Sequence, residues 1–175
     1  MPCGQDGAFD NRVRAWLIGL GVLLCGPPVV ASAACEAAQP ESILVCLQRA
    51  YASRDSATYA ELLSDDFLLY NYGPDSTSWD RDVSRKAAAD LFKRTVSLRL
   101  EILGWKLHPG EASHTWILDS LDAKVTIVTT SAGNHPPVEM LSKDNTLYLR
   151  SLPGPKERIV IYKWVRPRPD GKERK

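Results

Sequence analysis

Residues 41–67, ESILVCLQRAYASRDSATYAELLSDDF, read as a helix, a break, a second helix and the entry to a strand. Ile43, Leu44, Leu47 and Tyr51 recur at helical spacing and lay one apolar stripe along a helix over Glu41–Ser53. Pro40 precedes it, where the first turn of a helix tolerates proline. Arg54-Asp55-Ser56 interrupts the pattern. Asp55 is a good N-cap for a second short helix reaching Ser64, with Tyr59, Leu62 and Leu63 on one face. Asp65-Asp66 ends that helix, and Phe67–Tyr72 reads as a short strand.

Downstream, Gly73-Pro74-Asp75-Ser76 is a turn cluster. A third helix is expected over Asp80–Arg94. Asp80 and Asp82 suit its positive N-terminal end and Lys93 and Arg94 its other end, with Val83, Ala87, Leu91 and Phe92 inward. From Val96 the period changes to two. Val96, Leu98, Leu100 and Ile102 alternate with Ser97, Arg99 and Glu101 in a half-buried strand. Beyond Gly104 the apolar parity moves to Leu103, Trp105 and Leu107, which signals a bulge or bend. A second long strand covers His114–Thr130. Trp116 and Leu118 have one parity there, and Leu121, Ala123, Val125 and Ile127 the other, so it too bends. Ser131–Pro137 is a turn. Val138–Arg150 and Arg158–Val165 give two more strands joined by Leu152-Pro153-Gly154-Pro155, and no internal repeat is visible.

Helices first and long antiparallel strands after define an α+β domain. Strongly curved strands wrapped around helices make a cone with an interior.

At Leu47–Asp55 and again at Tyr59–Phe67 the chain resembles the nuclear transport factor 2-like (SnoaL-like) superfamily, in the manner of a secreted bacterial-type member. Helix, x-x-D break, helix and D-D-F entering a strand are the shared features. Ile161-Tyr162-Lys163-Trp164-Val165 is similar to the closing strand of that family, which often carries a Trp. The resemblance spans Glu41–Pro167. It implies the cone-shaped fold, with N-terminal helices packed on a curved antiparallel sheet, and says little about function. The family includes isomerases, dehydratases, cyclases and transport adaptors. Aligned on Arg54-Asp55 and Asp65-Asp66-Phe67, the tyrosine of ketosteroid isomerases falls on Leu47 and their general-base aspartate on Asn71. An amide cannot abstract a proton. Their third residue, a protonated aspartic acid on a later strand, has no assignable counterpart, so the resemblance implies the fold without isomerase chemistry.

Upstream, Arg12 and Arg14 precede an apolar run over Ala15–Cys25, Gly26-Pro27-Pro28 breaks it, and Ala31-Ser32-Ala33 matches a small-residue cleavage site. Residues 1–34 therefore read as a secretory signal peptide, too short for a membrane span, which takes about 20 apolar residues. Export to the periplasm or the medium is expected, with no transmembrane segment in the mature chain. A lipoprotein anchored at Cys35 is the alternative: Ala33 and Ala34 fit, but Ser32 stands where a Leu-like residue is usual. Of the four cysteines, Cys3 and Cys25 leave with the signal. Cys35 and Cys46 then suggest one disulfide in an oxidising compartment. A catalytic thiol would need an activating neighbour such as His, and none of the three histidines is near in sequence.

The 175 residues, 44% hydrophobic and 25% charged, suit one globular domain, expected over 35–167, with a frayed basic tail at 168–175. The net charge of +1 gives no basic excess for nucleic acid. No phosphate loop, H-E-x-x-H or G-x-S-x-G occurs, and neither a cofactor nor a metal site is expected. His114 and Asp119 are five apart, on opposite strand faces unless the bend intervenes. His108 and His135 precede prolines and read as turn residues. Tyr70, Trp79, Trp116, Tyr148 and Trp164 lie in or beside the expected elements and are the candidate lining of an apolar pocket. Arg99, Glu101, Asp122 and Lys124, joined by Arg150, form a mixed solvated face. The sequence thus points to an exported, non-catalytic module binding a small apolar molecule or a partner. The alternative is a lyase or isomerase using His114, Asp119 and Tyr70.

Overall fold

In the computed structural model the described residues are 35, 37–72, 77–129, 136–154 and 157–167. They fall in one unit spanning Ala34–Lys175. The signal-like segment 1–34, His135 and the tail 168–175 lie outside them. Among the described residues three helices, α1 (Ser42–Ser53), α2 (Ser56–Glu61) and α3 (Arg81–Arg94), accompany six strands: β1 (Leu63–Asn71), β2 (Thr77–Asp80), β3 (Thr95–Pro109), β4 (Thr115–Thr129), β5 (Val138–Leu152) and β6 (Arg158–Arg166). The strands make one sheet in the order β2-β1-β6-β5-β4-β3. All neighbours are antiparallel except β1 and β6, which run parallel.

Local chemistry explains the helix ends. Arg54 stops α1 in a left-handed conformation at φ 55°. Asp55 then caps α2, its carboxylate accepting from the Ala57 and Thr58 amides at 3.0 Å. Asp80 caps α3 by accepting from the Val83 amide at 2.8 Å.

Several expectations are corrected. The second helix stops at Glu61, not Ser64, because Leu63 is wholly buried and pairs with Ile161, whose amide donates to the Leu62 carbonyl at 2.8 Å. Strand β2 was not foreseen; its four residues carry only one large apolar side chain, Trp79. In α3 the buried stripe is Ser84, Ala88 and Phe92, while Val83 is 43% exposed. In β3 Thr95 is buried and Val96 faces solvent, because the pairing with β4 slips between Thr95 and Ser97. His108 lies within β3 rather than in a turn.

The two bends are present. Pairing of β3 with β4 shifts on both sides of Gly104, and pairing of β4 with β5 shifts between Leu118 and Leu121. Ser120, with φ 49°, absorbs the second shift, so Leu118 and Leu121 both point inward. The helices pack on that inner face, where Phe67, Leu118, Leu121, Leu147, Leu149 and Ile161 are fully buried. Central β6 buries Ile159, Val160 and Ile161 in succession, as a strand covered on both sides does.

Cys35 and Cys46 are joined by a disulfide that fastens the N-terminal segment to α1. The Ala37 carbonyl accepts from the Ile159 amide at 2.8 Å, so the same segment is also tied to β6.

Candidate functional site

Register partners share a face of the sheet, and this places two rows on the inner side. Trp79, Leu69, Trp164 and Leu147 stand side by side on β2, β1, β6 and β5. Two residues further along the same strands come Thr77, Asn71 and Arg166. An apolar, aromatic row is thus followed by a polar row at the very ends of β1 and β6. The Arg166 guanidinium lies 5.0 Å from the centre of the Trp164 ring.

Trp164 is fixed from below. Its indole N–H points to the Asn145 carboxamide oxygen at 3.4 Å. Asn145 is buried; its amide donates to the Leu121 carbonyl at 2.9 Å, and its oxygen also accepts from the Ser142 hydroxyl at 3.0 Å. A buried polar group so satisfied costs little and holds the ring in one orientation.

The three helices meet in an aromatic cluster. Tyr51 of α1, Tyr59 of α2 and Phe92 of α3 meet edge to face, with centroids 5.4–6.2 Å apart. Burial raises the pKa of both tyrosines, and the nearby Arg166 charge opposes that rise. Both phenols therefore keep their protons in the folded state beyond about pH 10, where an unfolded tyrosine ionises. Their contribution to stability is complete below about pH 10 and is lost as pH rises above it. We expect phenolate absorbance from these two residues only together with loss of near-ultraviolet ellipticity. Tyr51→Phe, which has no proton to lose, should move the alkaline unfolding midpoint upward. A midpoint left unmoved would show that Tyr51 does not drive it.

The aromatic candidates divide between the two faces. Trp79, Trp116 and Trp164 are inward, with Trp116 beside Leu149, on the other side of the Trp164 row from Arg166. Tyr70 and Tyr148 are outward and flank Lys163, whose ammonium lies 5.4 and 4.7 Å from their ring centres. On the same outer side Arg150 grips the Asp66 carboxylate with both terminal nitrogens and lies over the Tyr162 ring. The Ser64 hydroxyl, and after it Arg150, hold Asp66 below the usual carboxylate range. Further along, Arg99 pairs with Glu101 at 2.9 Å and Lys124 with Glu139 at 2.7 Å. Asp122 accepts from the Asp144 amide at 3.0 Å. Arg150 thus stands apart from the mixed charged face it was expected to join.

The acid–base candidates do not converge. His114, in the turn before β4 with φ 59°, lies 3.8 Å from Glu157. Asp119 instead meets His108, Nε2 to Oδ2 at 3.2 Å, across the β3–β4 pair. Tyr70 is separated from Asp119 by the width of β6 and β5. Among the described residues no group of three or more His, Cys, Asp or Glu could hold a metal ion. An open groove of about 360 Å³ runs between Ser53-Arg54 and Asp90–Lys93. The Arg54 guanidinium there already donates to the Thr95 carbonyl at 2.6 Å.

The sequence analysis singled out neither Arg166 nor, beyond their places on apolar helix faces, Tyr51 and Tyr59. The signal for Arg166 was available: it stands two residues after Trp164, hence on the same face of the strand.

With strand order, helices and inner face in view, the class is clear: the chain has the nuclear transport factor 2-like fold. An NTF2-like protein of unknown function in nutrient uptake from Rhodospirillum rubrum is similar over 74% of this chain and 97% of its own, at 12% identity and a TM-score of 0.58. A scytalone dehydratase-like protein from Novosphingobium aromaticivorans matches 77% of this chain and 92% of its own, at 9% identity and a TM-score of 0.57. A ketosteroid isomerase-like protein from Erwinia carotovora matches 71% and 89%, at 12% identity and a TM-score of 0.50. No protein-family profile and no curated protein matches the sequence. At these identities the likeness is one of fold.

Proposed function

We propose that the protein is an exported, non-catalytic module that binds a small, largely apolar molecule at the open end of its inner face. Residues 1–34 direct export in this reading, and 35–167 form the binding domain. The observation that carries it is the pairing of an aromatic row, Trp79 and Trp164, with a polar row, Asn71 and Arg166, on the helix-facing side of the sheet. Mostly apolar walls with a few oriented polar groups are what a small-molecule site requires. The disulfide and the absence of a helix long and apolar enough to cross a membrane among the described residues are consistent with export. By the resemblance, Asn71 falls where ketosteroid isomerases carry their general base, and His114, Asp119 and Tyr70 lie apart, which favours binding over acid–base chemistry.

A neutral fluorescent naphthalene, N-phenyl-1-naphthylamine, tests this. We expect saturable one-site binding to the folded mature chain. Trp79→Ala, which trims a half-buried wall residue, should weaken it by about fivefold. A folded protein that shows no saturable binding, and carries no organic molecule in native mass spectrometry, would overturn the reading.

A further inference from the structure

We propose that the inner-face site takes an anionic ligand, a planar apolar body bearing a carboxylate, with the carboxylate held by the Arg166 guanidinium beside the Asn71 carboxamide. This inference rests on the inner face being the binding site and names the chemical class of its occupant. Most cations with short contacts elsewhere are spoken for. Arg81, Arg99 and Arg150 pair with Asp65, Glu101 and Asp66, Lys124 pairs with Glu139, and Arg54 donates to a carbonyl. Arg166 is the cation on the inner rows. Among the described residues its guanidinium pairs with no carboxylate and stacks on the Trp164 ring. Stacking on an indole orients a guanidinium without using its in-plane N–H donors. Those donors match a carboxylate in bidentate geometry.

The surroundings agree with an anion. Asn71 ends β1 as the register partner of Arg166, and Thr77 ends the row, so neutral groups that can donate stand beside the cation. The Tyr72 amide donates to the Arg166 carbonyl at 3.1 Å and pins the strand end that carries the charge. Among the described residues no Asp or Glu stands on either inner row to repel an incoming carboxylate. Of the rings in the inner row, Trp79 is the half-buried one and leaves a flat face to a planar body. Stacking on the inward Trp164 ring keeps the Arg166 guanidinium on the helix side of the sheet.

The test compares 2-naphthoate with 2-naphthamide, which share size and shape and differ in charge, by isothermal titration calorimetry on the mature chain. The carboxylate is expected to bind about tenfold more tightly at low ionic strength. Arg166→Gln should bring the ratio of the two affinities to about one. In the unaltered protein the ratio should narrow with added salt, as screening of a partly exposed charge requires. The salt series gives a second route should Arg166→Gln fail to fold. Equal affinities in the unaltered protein would overturn the proposal while leaving the site intact, as would a ratio that Arg166→Gln does not change. If neither compound binds, the inner-face site itself fails and the proposal falls with it.

Discussion

Trp164→Ala is expected to lower the unfolding free energy by about 3–5 kcal/mol. The side chain is only 7% exposed and packs between Leu69 and Leu147 on the central strand, so its removal leaves a void with rigid walls. Domains of this size commonly hold about 5–15 kcal/mol in total. The loss should therefore appear as a fall of roughly 10–20 °C in Tm. Trp164→Phe separates the ring from its N–H. It keeps most of the volume and removes only the 3.4 Å contact to Asn145, whose oxygen still accepts from Ser142. A loss of about 1 kcal/mol is expected for that variant. Chemical denaturation of both variants would check this. An alanine variant as stable as the phenylalanine one would mean that packing at Trp164 is not what secures the sheet.

Reduction of the Cys35–Cys46 disulfide is expected to cost about 3 kcal/mol, the chain-entropy value for a loop of this size. The cysteines are 11 residues apart, and Cys46 is buried on the core side of α1. Without the bond, the segment through Ala37 is held to β6 mainly by the Ile159 amide. Cys35→Ala should reproduce the effect of a reducing agent, and adding the reducing agent to that variant should change nothing more. Urea midpoints measured with and without reductant give the answer. An unchanged midpoint on full reduction would refute the stabilising role.

Much of this architecture is legible in the residues, because strong periodicity survives any tertiary context. The Ile43–Tyr51 stripe marks α1, and alternation at Leu98, Leu100 and Ile102 marks β3. The parity changes around Gly104 and Ser120 mark the two bends. Leu62-Leu63 misleads because adjacent leucines fit a helix face and a buried strand equally well. Only the long-range partner Ile161 decides between them. Strand β2 escapes because pairing with β1, rather than its own pattern, makes it a strand. The candidate site is less legible. The aromatics are visible as residue types, but which face each takes depends on register. Tyr70 and Tyr148 thus separate from Trp79 and Trp164, and Arg166 joins the latter only once β6 is known to extend to it.

The strand order also dictates when the molecule can become itself during synthesis. Among the described strands, β1 and β2 attach to the rest of the sheet only through β6, which comes last of the six in the sequence. Until the ribosome has delivered residues 158–166, the early hairpin has no seat and the inner row lacks Trp164 and Arg166. Contacts between such distant parts of a chain form slowly. A nascent chain of this design keeps its sheet in two unjoined parts until residues 158–166 have emerged.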